Sequence, residues 1–217
     1  MFNWENIKIY DEPYKYAICD DFLSFYNDDL YPSNTWCEDN LIARENKVTK
    51  AISAINSIHK VNQDQKNFLS VLLSQRFHDQ VCNLLDIPLA KETTGIRKTD
   101  ADYRIAREAM FVQNLYSEGN ILDIHYDSEV TIWTGLLYFC DSDSGTFNIH
   151  ENDKSLHKKI PIKRNRLILT RNGNTSWHSV SPWLESFPRK SIYITSEFKN
   201  FGRDKDRKPI RAKELWC

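Results

Sequence analysis

Three features that define common protein classes are missing from this sequence. Its five cysteines lie far apart and form no Cys-x-x-Cys pair, so zinc-ribbon and thioredoxin-type motifs are excluded. It has no excess of charge, because 29 Lys and Arg residues stand against 30 Asp and Glu residues and the net charge is −1. It also has no apolar run approaching the roughly 20 residues that span a bilayer. We therefore expect neither a nucleic-acid partner nor a membrane partner.

Signals for export are missing as well. The sequence begins Met-Phe-Asn-Trp-Glu, without the basic and then apolar stretches of a secretory signal. The cysteines resemble reduced thiols of a cytoplasmic protein rather than a disulfide framework. They are Cys19, Cys37, Cys82, Cys140 and Cys217. We expect a soluble, cytoplasmic protein.

The first half of the chain contains few clear elements. The 217 residues suit a single domain, 1–217, whose core needs no disulfide support. Within 1–109, short apolar-aromatic pieces predict a strand near 14–19 and a short helix before Pro32. Apolar residues at spacings of three and four predict one long helix from about Asn62 to Leu85. The polar stretch 91–104 predicts a loop.

The second half has the pattern of short β-strands. β-Branched and aromatic runs alternate with turn-rich segments. The predicted strands cover 110–116, 121–126, 130–139, 145–149, 158–162, 166–170, 176–180 and 190–198. This pattern predicts an α+β fold that is mainly β, with a double-stranded β-helix (a jelly-roll or cupin-like core) over 110–198. We expect the N-terminal helices to pack on one of its sheets, and a solvated tail over 199–217.

One short strand carries a metal-binding pattern. Residues two apart in a strand project from the same face, so His125 and Asp127 place an imidazole beside a carboxylate. His178 lies in another strand-like segment, and a roll can bring it against the first two residues. Two histidines and one carboxylate, with one face of the metal left open, suit non-haem Fe(II) better than structural zinc.

A candidate anion-binding residue follows the second histidine. Arg189 stands at the start of another apolar strand. A planar guanidinium there could point inward and bind a carboxylate with two hydrogen bonds, which a lysine cannot do. The pattern therefore predicts a carboxylate ligand in the same roll.

Several further segments accompany these residues in order along the second half. They are Tyr116-Ser-Glu-Gly119, Leu122-Asp-Ile-His125-Tyr-Asp127, Leu136-Leu-Tyr138, Gly145-Thr-Phe147, Ile160-Pro161, Arg166-Leu-Ile-Leu169, His178-Ser-Val-Ser-Pro182 and Arg189-Lys-Ser191. Over about residues 110–198 this ordered set resembles the prolyl-4-hydroxylase-like branch of the Fe(II)- and 2-oxoglutarate-dependent oxygenases. The resemblance implies an enzyme that oxidises a C–H bond with O2 and 2-oxoglutarate and releases succinate and CO2.

The resemblance also implies roles for individual residues. The two histidines and Asp127 would bind Fe(II), and Arg189 would pair with the distal carboxylate of 2-oxoglutarate. Tyr116 and Ser191 would donate hydrogen bonds to the same carboxylate. Ascorbate is the expected reductant.

Departures from the family pattern concern the substrate more than the cosubstrate. Lysine is frequent in this branch where Arg189 stands, Ser144-Gly145 replaces a double glycine, and Trp133 occupies a position that is often polar. Asp127 is retained, which favours hydroxylation over the halogenation performed by relatives that lack this carboxylate. Nucleic-acid repair relatives carry a second arginine where this chain has Thr195, which argues against a nucleic-acid substrate.

The expected substrate is a proline or another amino-acid-type compound, either peptidyl or free. Two alternatives stay open: a hydroxylase of another small metabolite, and a catalytically inactive jelly-roll binding module. The candidate substrate contacts are aromatic residues near the predicted site and arginines in or beside the loop that precedes the roll. They are Trp133, Trp183, Arg97, Arg104 and Arg107.

Overall fold

The computed structural model describes residues 2–32, 41–44, 47–53, 61–88, 103–114 and 119–200. These residues form two α-helices and twelve β-strands, with short 3-10 turns at Trp4–Asn6 and Asp28–Leu30. The helices are α1 (Gln63–Leu72) and α2 (Gln75–Leu84). The strands are β1 (Ile7–Tyr10), β2 (Tyr16–Cys19), β3 (Leu41–Arg44), β4 (Lys47–Ser53), β5 (Tyr103–Asn114), β6 (Leu122–His125), β7 (Thr131–Tyr138), β8 (Ser142–His150), β9 (Leu156–Ile162), β10 (Leu167–Arg171), β11 (His178–Val180) and β12 (Arg189–Asn200).

Two short helices replace the single long helix that the apolar spacing predicted. α1 begins at a capping box, in which Asn62 and Gln65 each accept a hydrogen bond from the other's backbone N–H. After Leu72 the chain turns, and the Ser74 side chain caps α2 by accepting a hydrogen bond from the backbone of Phe77. The break arises because serine stabilises a helix start better than a helix interior.

The strands form two antiparallel sheets. The large sheet has the order β1-β2-β10-β7-β12-β5-β4-β3, and the small sheet has the order β6-β11-β8-β9. Buried apolar residues of both sheets share one cluster, which places the sheets face to face. This roll of two antiparallel sheets confirms the predicted fold class.

Alternation along β12 shows how the large sheet separates two environments. Ile192 and Ile194 belong to a core that also contains the buried residues of α1 and α2, so the helices pack on the outer face as predicted. Arg189 and Ser191 project from the opposite face. This second face looks into the roll, where Tyr138 contributes to the cluster between the two sheets.

The two sheets have neighbouring edges on one side of the roll. β1 ends the large sheet and β9 ends the small sheet, and a cleft of about 550 Å³ lies between them. Lys158 of β9 places its Nζ 3.8 Å from the ring centre of Tyr10, which stacks on Tyr16. Cation–π contact therefore joins the two sheets at this side.

The strands predicted in the second half are present, with ends shifted by a few residues. β5 begins at Tyr103, inside the stretch predicted as a loop, whose other residues up to 102 lie outside the described part of the chain. β12 continues to Asn200, past the predicted end at residue 198. β1, β3 and β4 were not predicted, because pairing with β2 and β5 completes short segments whose own pattern is weak. None of the helices in the described residues is long and apolar enough to cross a membrane.

Candidate active site

The three predicted metal ligands come together where β6 pairs with β11. His125 ends β6, His178 begins β11, and the two residues are direct partners across the strand pair. Asp127 Oδ1 lies 3.8 Å from His125 Nε2 and 3.7 Å from His178 Nε2. Donors bound to one ion with bonds of about 2.1 Å lie at most about 4.2 Å apart, so both distances fit a shared metal ion.

Backbone contacts orient both imidazoles. His125 Nδ1 lies 2.6 Å from the carbonyl oxygen of Asp123, and His178 Nδ1 lies 2.9 Å from that of Ser176. A carbonyl only accepts hydrogen bonds, so each Nδ1 carries the proton in the neutral imidazole. Each Nε2 is therefore left with a free lone pair facing the space shared with Asp127, as metal binding requires.

Burial of the triad increases from His125 to His178. The exposed fraction of the side chain is 34% for His125, 15% for Asp127 and 5% for His178, and Phe147 stacks on the His178 ring. Burial lowers the pKa of His178, although the neighbouring Asp127 carboxylate acts in the opposite direction. The neutral form of His178, which is the form that binds metals, is thereby favoured.

Arg189 is a buried cation surrounded by neutral partners. It is 3% exposed, and its Nη1 donates to Asn114 Oδ1 while its Nη2 donates to the Tyr138 hydroxyl, each at 2.9 Å. Its Nε has no hydrogen-bond partner, and none of the ion pairs in the described residues includes it. Burying a charge without a counter-charge is unfavourable. A bound anion would therefore supply the missing counter-charge at this position.

A second unpartnered donor lies on the same strand face. Ser191 is fully buried, stands two residues from Arg189 in β12, and its Oγ has no partner. A carboxylate has lone pairs enough to accept from the guanidinium and the hydroxyl together. The residues present thus fit both a metal at the triad and a carboxylate ligand at Arg189.

The other predicted site residues are only partly described. Tyr116 and Arg97 lie outside the described residues, and Arg104 belongs to β5 with a side chain that is also outside them. Arg107 is described, and its Nη1 donates to Gln75 of α2 at 3.1 Å. Arg107 therefore lies on the helix-facing side of the large sheet, and the substrate contact predicted for it stays a prediction.

The two tryptophans predicted to contact substrate are both packed within the protein, and their contact with substrate stays a prediction. Trp133 is 1% exposed on the helix-facing side of β7, where its Nε1 donates to His78 Nδ1. Trp183 is fully buried, and its Nε1 donates to the Phe187 carbonyl. Trp183 also lies over Gly145, whose φ of +62° is unfavourable for other residues and where a Cβ would come within 2.5 Å of the indole. Glycine at this position thus allows the ring to pack against the strand.

Three polar residues of the site were not found by sequence reasoning. Asn114 and Tyr138 bind Arg189, and Thr134 Oγ1 donates to Asp127 Oδ2 at 2.6 Å. Asn114 reaches the site because it is the strand partner of Arg189, and register between distant strands cannot be read from one sequence. Tyr138 lay within a segment of the family resemblance, which was the one available signal.

The comparisons with known proteins agree with this geometry. Residues 111–194 match the family described as the 2OG-Fe(II) oxygenase superfamily. Comparison with curated proteins finds no match. Among solved structures, the chain is similar to a prolyl hydroxylase from Trichoplax adhaerens in complex with a hypoxia inducible factor oxygen degradation domain peptide fragment, with a TM-score of 0.59 and 14% identity over 84% of this chain and 83% of that one. It is also similar to a Pseudomonas putida prolyl-4-hydroxylase, with a TM-score of 0.53 and 12% identity over 84% of this chain and 91% of that one. A third similar structure is a 2OG-Fe(II) oxygenase family oxidoreductase from Burkholderia pseudomallei, with a TM-score of 0.55 and 12% identity over 84% of each chain. At these identities the structural likeness establishes the fold.

Fold and site together fit an oxygenase built on a double-stranded β-helix. The matched residues 111–194 hold the triad and Arg189, so the similarity to the 2OG-Fe(II) oxygenase superfamily covers the candidate site. That family is described as one of oxygenases that use 2-oxoglutarate (2OG) and Fe(II).

Proposed function

We propose that the protein is a hydroxylase in which His125, Asp127 and His178 bind Fe(II) and Arg189 binds the distal carboxylate of 2-oxoglutarate. Iron and 2-oxoglutarate, when bound, would supply oxidation of an unactivated C–H bond of the substrate, with release of succinate and CO2. The observation that carries the proposal is the buried Arg189 cation, which has no acidic partner among the described residues and lies in the same roll as the triad.

The chain's own residues would perform three tasks in this reaction. The carbonyls of Asp123 and Ser176 hold the two imidazoles in the tautomer that leaves Nε2 free. Arg189, held by Asn114 and Tyr138 and assisted by Ser191, would fix the far end of the cosubstrate. Tyr116 would add a further hydrogen bond to that carboxylate. The sheets on both sides keep bulk water away from the buried half of the site.

For the substrate, we propose a proline or another amino-acid-type compound, peptidyl or free. Two structural neighbours are prolyl hydroxylases by name, and one of them was solved with a peptide fragment, which motivates the choice. Hydroxylation of another small metabolite is the second candidate, because the described residues contain no separate peptide-binding module. Ascorbate is the proposed reductant. Incubating cell extract with enzyme and both cosubstrates should yield a product with one added oxygen atom, detected by mass spectrometry.

The test of the cosubstrate site is an anaerobic titration. Adding 2-oxoglutarate to the Fe(II)-loaded wild type should produce the visible charge-transfer band of the chelate, and admitting O2 should release succinate. Asp127→Ala should abolish both signals and leave the fold intact, because it removes a metal donor but no core packing. The matched control is Asp143→Ala, an exposed carboxylate on the same roll.

The outcomes separate the enzyme from an inactive binding module. A module that binds 2-oxoglutarate without turnover would give the band and no succinate with any substrate. Equal succinate release by wild type and Asp127→Ala would exclude the proposed iron site.

A further inference from the structure

The two oxygens of Asp127 have different neighbours. Oδ1 is the atom closest to both imidazole Nε2 atoms, at 3.8 and 3.7 Å. Oδ2 accepts a hydrogen bond from Thr134 Oγ1 at 2.6 Å. A bond to an ionised carboxylate is stronger than one between neutral groups. The side chain is therefore held with one oxygen towards the metal site and the other occupied.

The Thr134 hydroxyl uses its proton and one of its lone pairs in hydrogen bonds. Its one proton goes to Asp127, while it accepts from Asn172 Nδ2 at 2.8 Å. A hydroxyl has one proton and two lone pairs, so it cannot rotate towards another partner without losing these contacts. Thr134 and Asn172 are 6% and 3% exposed, so water does not readily replace them.

This arrangement bears on how Asp127 binds a metal. A carboxylate can bind a metal through one or both of its oxygens. Binding through both would occupy a second coordination position, and the proposed chemistry needs the positions opposite the triad for 2-oxoglutarate and O2. On the basis of the proposed function, we propose that Thr134 is a positioning residue that reserves Asp127 Oδ2 for hydrogen bonding, so that Asp127 binds the metal through Oδ1 alone.

The proposal predicts that loss of the hydroxyl lowers the affinity for 2-oxoglutarate and leaves the affinity for the metal nearly unchanged. In Thr134→Val, an isosteric change without a donor, Oδ2 is released and can compete with the cosubstrate for the metal. Co(II) binding to the protein alone should stay within about threefold of wild type. The affinity of the Fe(II)-loaded protein for 2-oxoglutarate should fall by about tenfold or more, since contacts to metal ligands typically carry effects of this size.

Three further variants make the test specific. Thr134→Ser keeps the hydroxyl and should restore 2-oxoglutarate affinity to within about threefold of wild type. Thr134→Ala lacks it and should behave as Thr134→Val does, which covers the case in which the valine variant folds poorly. Thr170→Val is the matched control, because Thr170 is a buried threonine of the neighbouring β10 whose hydroxyl donates to the backbone carbonyl of Thr134 and not to Asp127.

The readouts are Co(II) absorption for the metal and the anaerobic charge-transfer band for 2-oxoglutarate. Wild-type affinity for 2-oxoglutarate in Thr134→Val would overturn the proposal, as would a loss of metal affinity without a loss of cosubstrate affinity. A serine variant as weak as the valine variant would also overturn it, because the hydroxyl would not be the determinant. A wild type that shows no band would instead contradict the proposed function itself, and this inference with it.

Discussion

The two faces of the large sheet both bury polar groups, but they satisfy them differently. On the helix-facing side, His78 Nδ1 lies 3.1 Å from both Trp133 Nε1 and Ser196 Oγ, and its Nε2 lies 3.4 Å from Cys82 Sγ. All of these polar atoms have partners. Inside the roll, the buried side-chain atoms that lack a partner among the described residues are Tyr16 OH, Asn172 Oδ1, Arg189 Nε and Ser191 Oγ.

The difference indicates what each set of polar groups is for. Leaving a buried polar atom unpaired costs about 1–3 kcal/mol, so native proteins rarely accumulate such atoms. On the helix-facing side the polar network is complete and ties α2 to β7 and β12, which is a structural task. Inside the roll the unpaired atoms include two neighbouring donors that suit a ligand. Variants on the two faces should therefore change different properties.

The largest expected effect concerns Arg189. Arg189→Met should weaken 2-oxoglutarate binding by about 3–5 kcal/mol, because the ligand carboxylate would be buried without its cation. The unfolding free energy of the ligand-free protein should stay equal or rise, since the unpaired charge is gone. Arg189→Lys should retain part of the affinity but lose the two-pronged geometry. The charge-transfer titration and denaturant unfolding give both quantities.

Two controls accompany this change. Co(II) affinity should be unchanged in both variants, because Arg189 would contact only the organic acid. Arg166→Met removes an arginine that pairs with Asp20 instead, and it should leave 2-oxoglutarate affinity unaltered. Equal affinities for wild type and Arg189→Met would place the cosubstrate elsewhere.

The next effect is a pH dependence on the helix-facing side. Burial, and then the nearby Arg107, lower the pKa of His78 from 6.5 to about 4. The unfolded chain binds the proton more readily than the folded one, so the stabilising contribution is complete above pH 6.5 and is lost as pH falls towards 4. The loss should amount to about 3 kcal/mol.

Denaturant unfolding between pH 7 and pH 4 measures this contribution. The stability advantage of wild type over His78→Gln should shrink as the pH falls. His157→Gln is the matched control, because His157 is partly exposed and pairs with Glu151. A constant difference between wild type and His78→Gln across this range would show that His78 titrates as an exposed residue does.

A smaller effect tests whether a change in apolar packing inside the roll lowers the affinity for 2-oxoglutarate. Gly145→Ala places a methyl group against Trp183 at a backbone conformation with positive φ, which should destabilise the protein by about 2 kcal/mol. Because the same methyl group would approach Arg189 Cδ at 3.3 Å, 2-oxoglutarate affinity should fall as well. Gly173→Ala, at a position with open space around it, should change neither property in thermal unfolding or titration.

The smallest expected effect compares the two faces of the large sheet most directly. Ser191 and Ser196 are both fully buried in β12 but lie on opposite faces. Ser191→Ala should weaken 2-oxoglutarate binding by about 1 kcal/mol without loss of stability, because its hydroxyl has no partner in the free protein. Ser196→Ala should lower stability by about 1 kcal/mol and leave binding unchanged, because it breaks a contact to His78. The reverse pattern would invalidate the distinction between the faces.

Much of the candidate site could be predicted from local sequence. The His-x-Asp spacing fixes two side chains on one strand face, and the order of His178 and Arg189 follows from the strand pattern. The structure brings His125, Asp127 and His178 together. The roles of Tyr116 and Ser191 stay predictions. Side-chain contacts that depend on the register between distant strands could not be predicted. Asn114, for example, meets Arg189 only because β5 and β12 pair in one alignment.

The orientation of Trp133 shows a second limit. β7 is buried on both faces along nearly its whole length, so its sequence lacks the polar–apolar alternation that identifies the inward side. The choice of Trp133 as a candidate substrate contact therefore had no alternation to guide it, and its neighbour Thr134, which faces the roll and donates to Asp127, was not identified. The split between α1 and α2 had a local signal, since Ser74 is a favourable helix start, but the apolar spacing continued across it.

The edge strand β9 has a consequence for how molecules of this protein meet in solution. An unpaired strand offers backbone donors and acceptors to any extended segment of another chain. Pro161 lacks one of those donors, and Lys158 and Lys159 add positive charge, so two copies of β9 approaching each other would repel and could not complete a continuous ladder. The lysine that reaches the Tyr10 ring thus also discourages fibre-like stacking of the roll at high concentration.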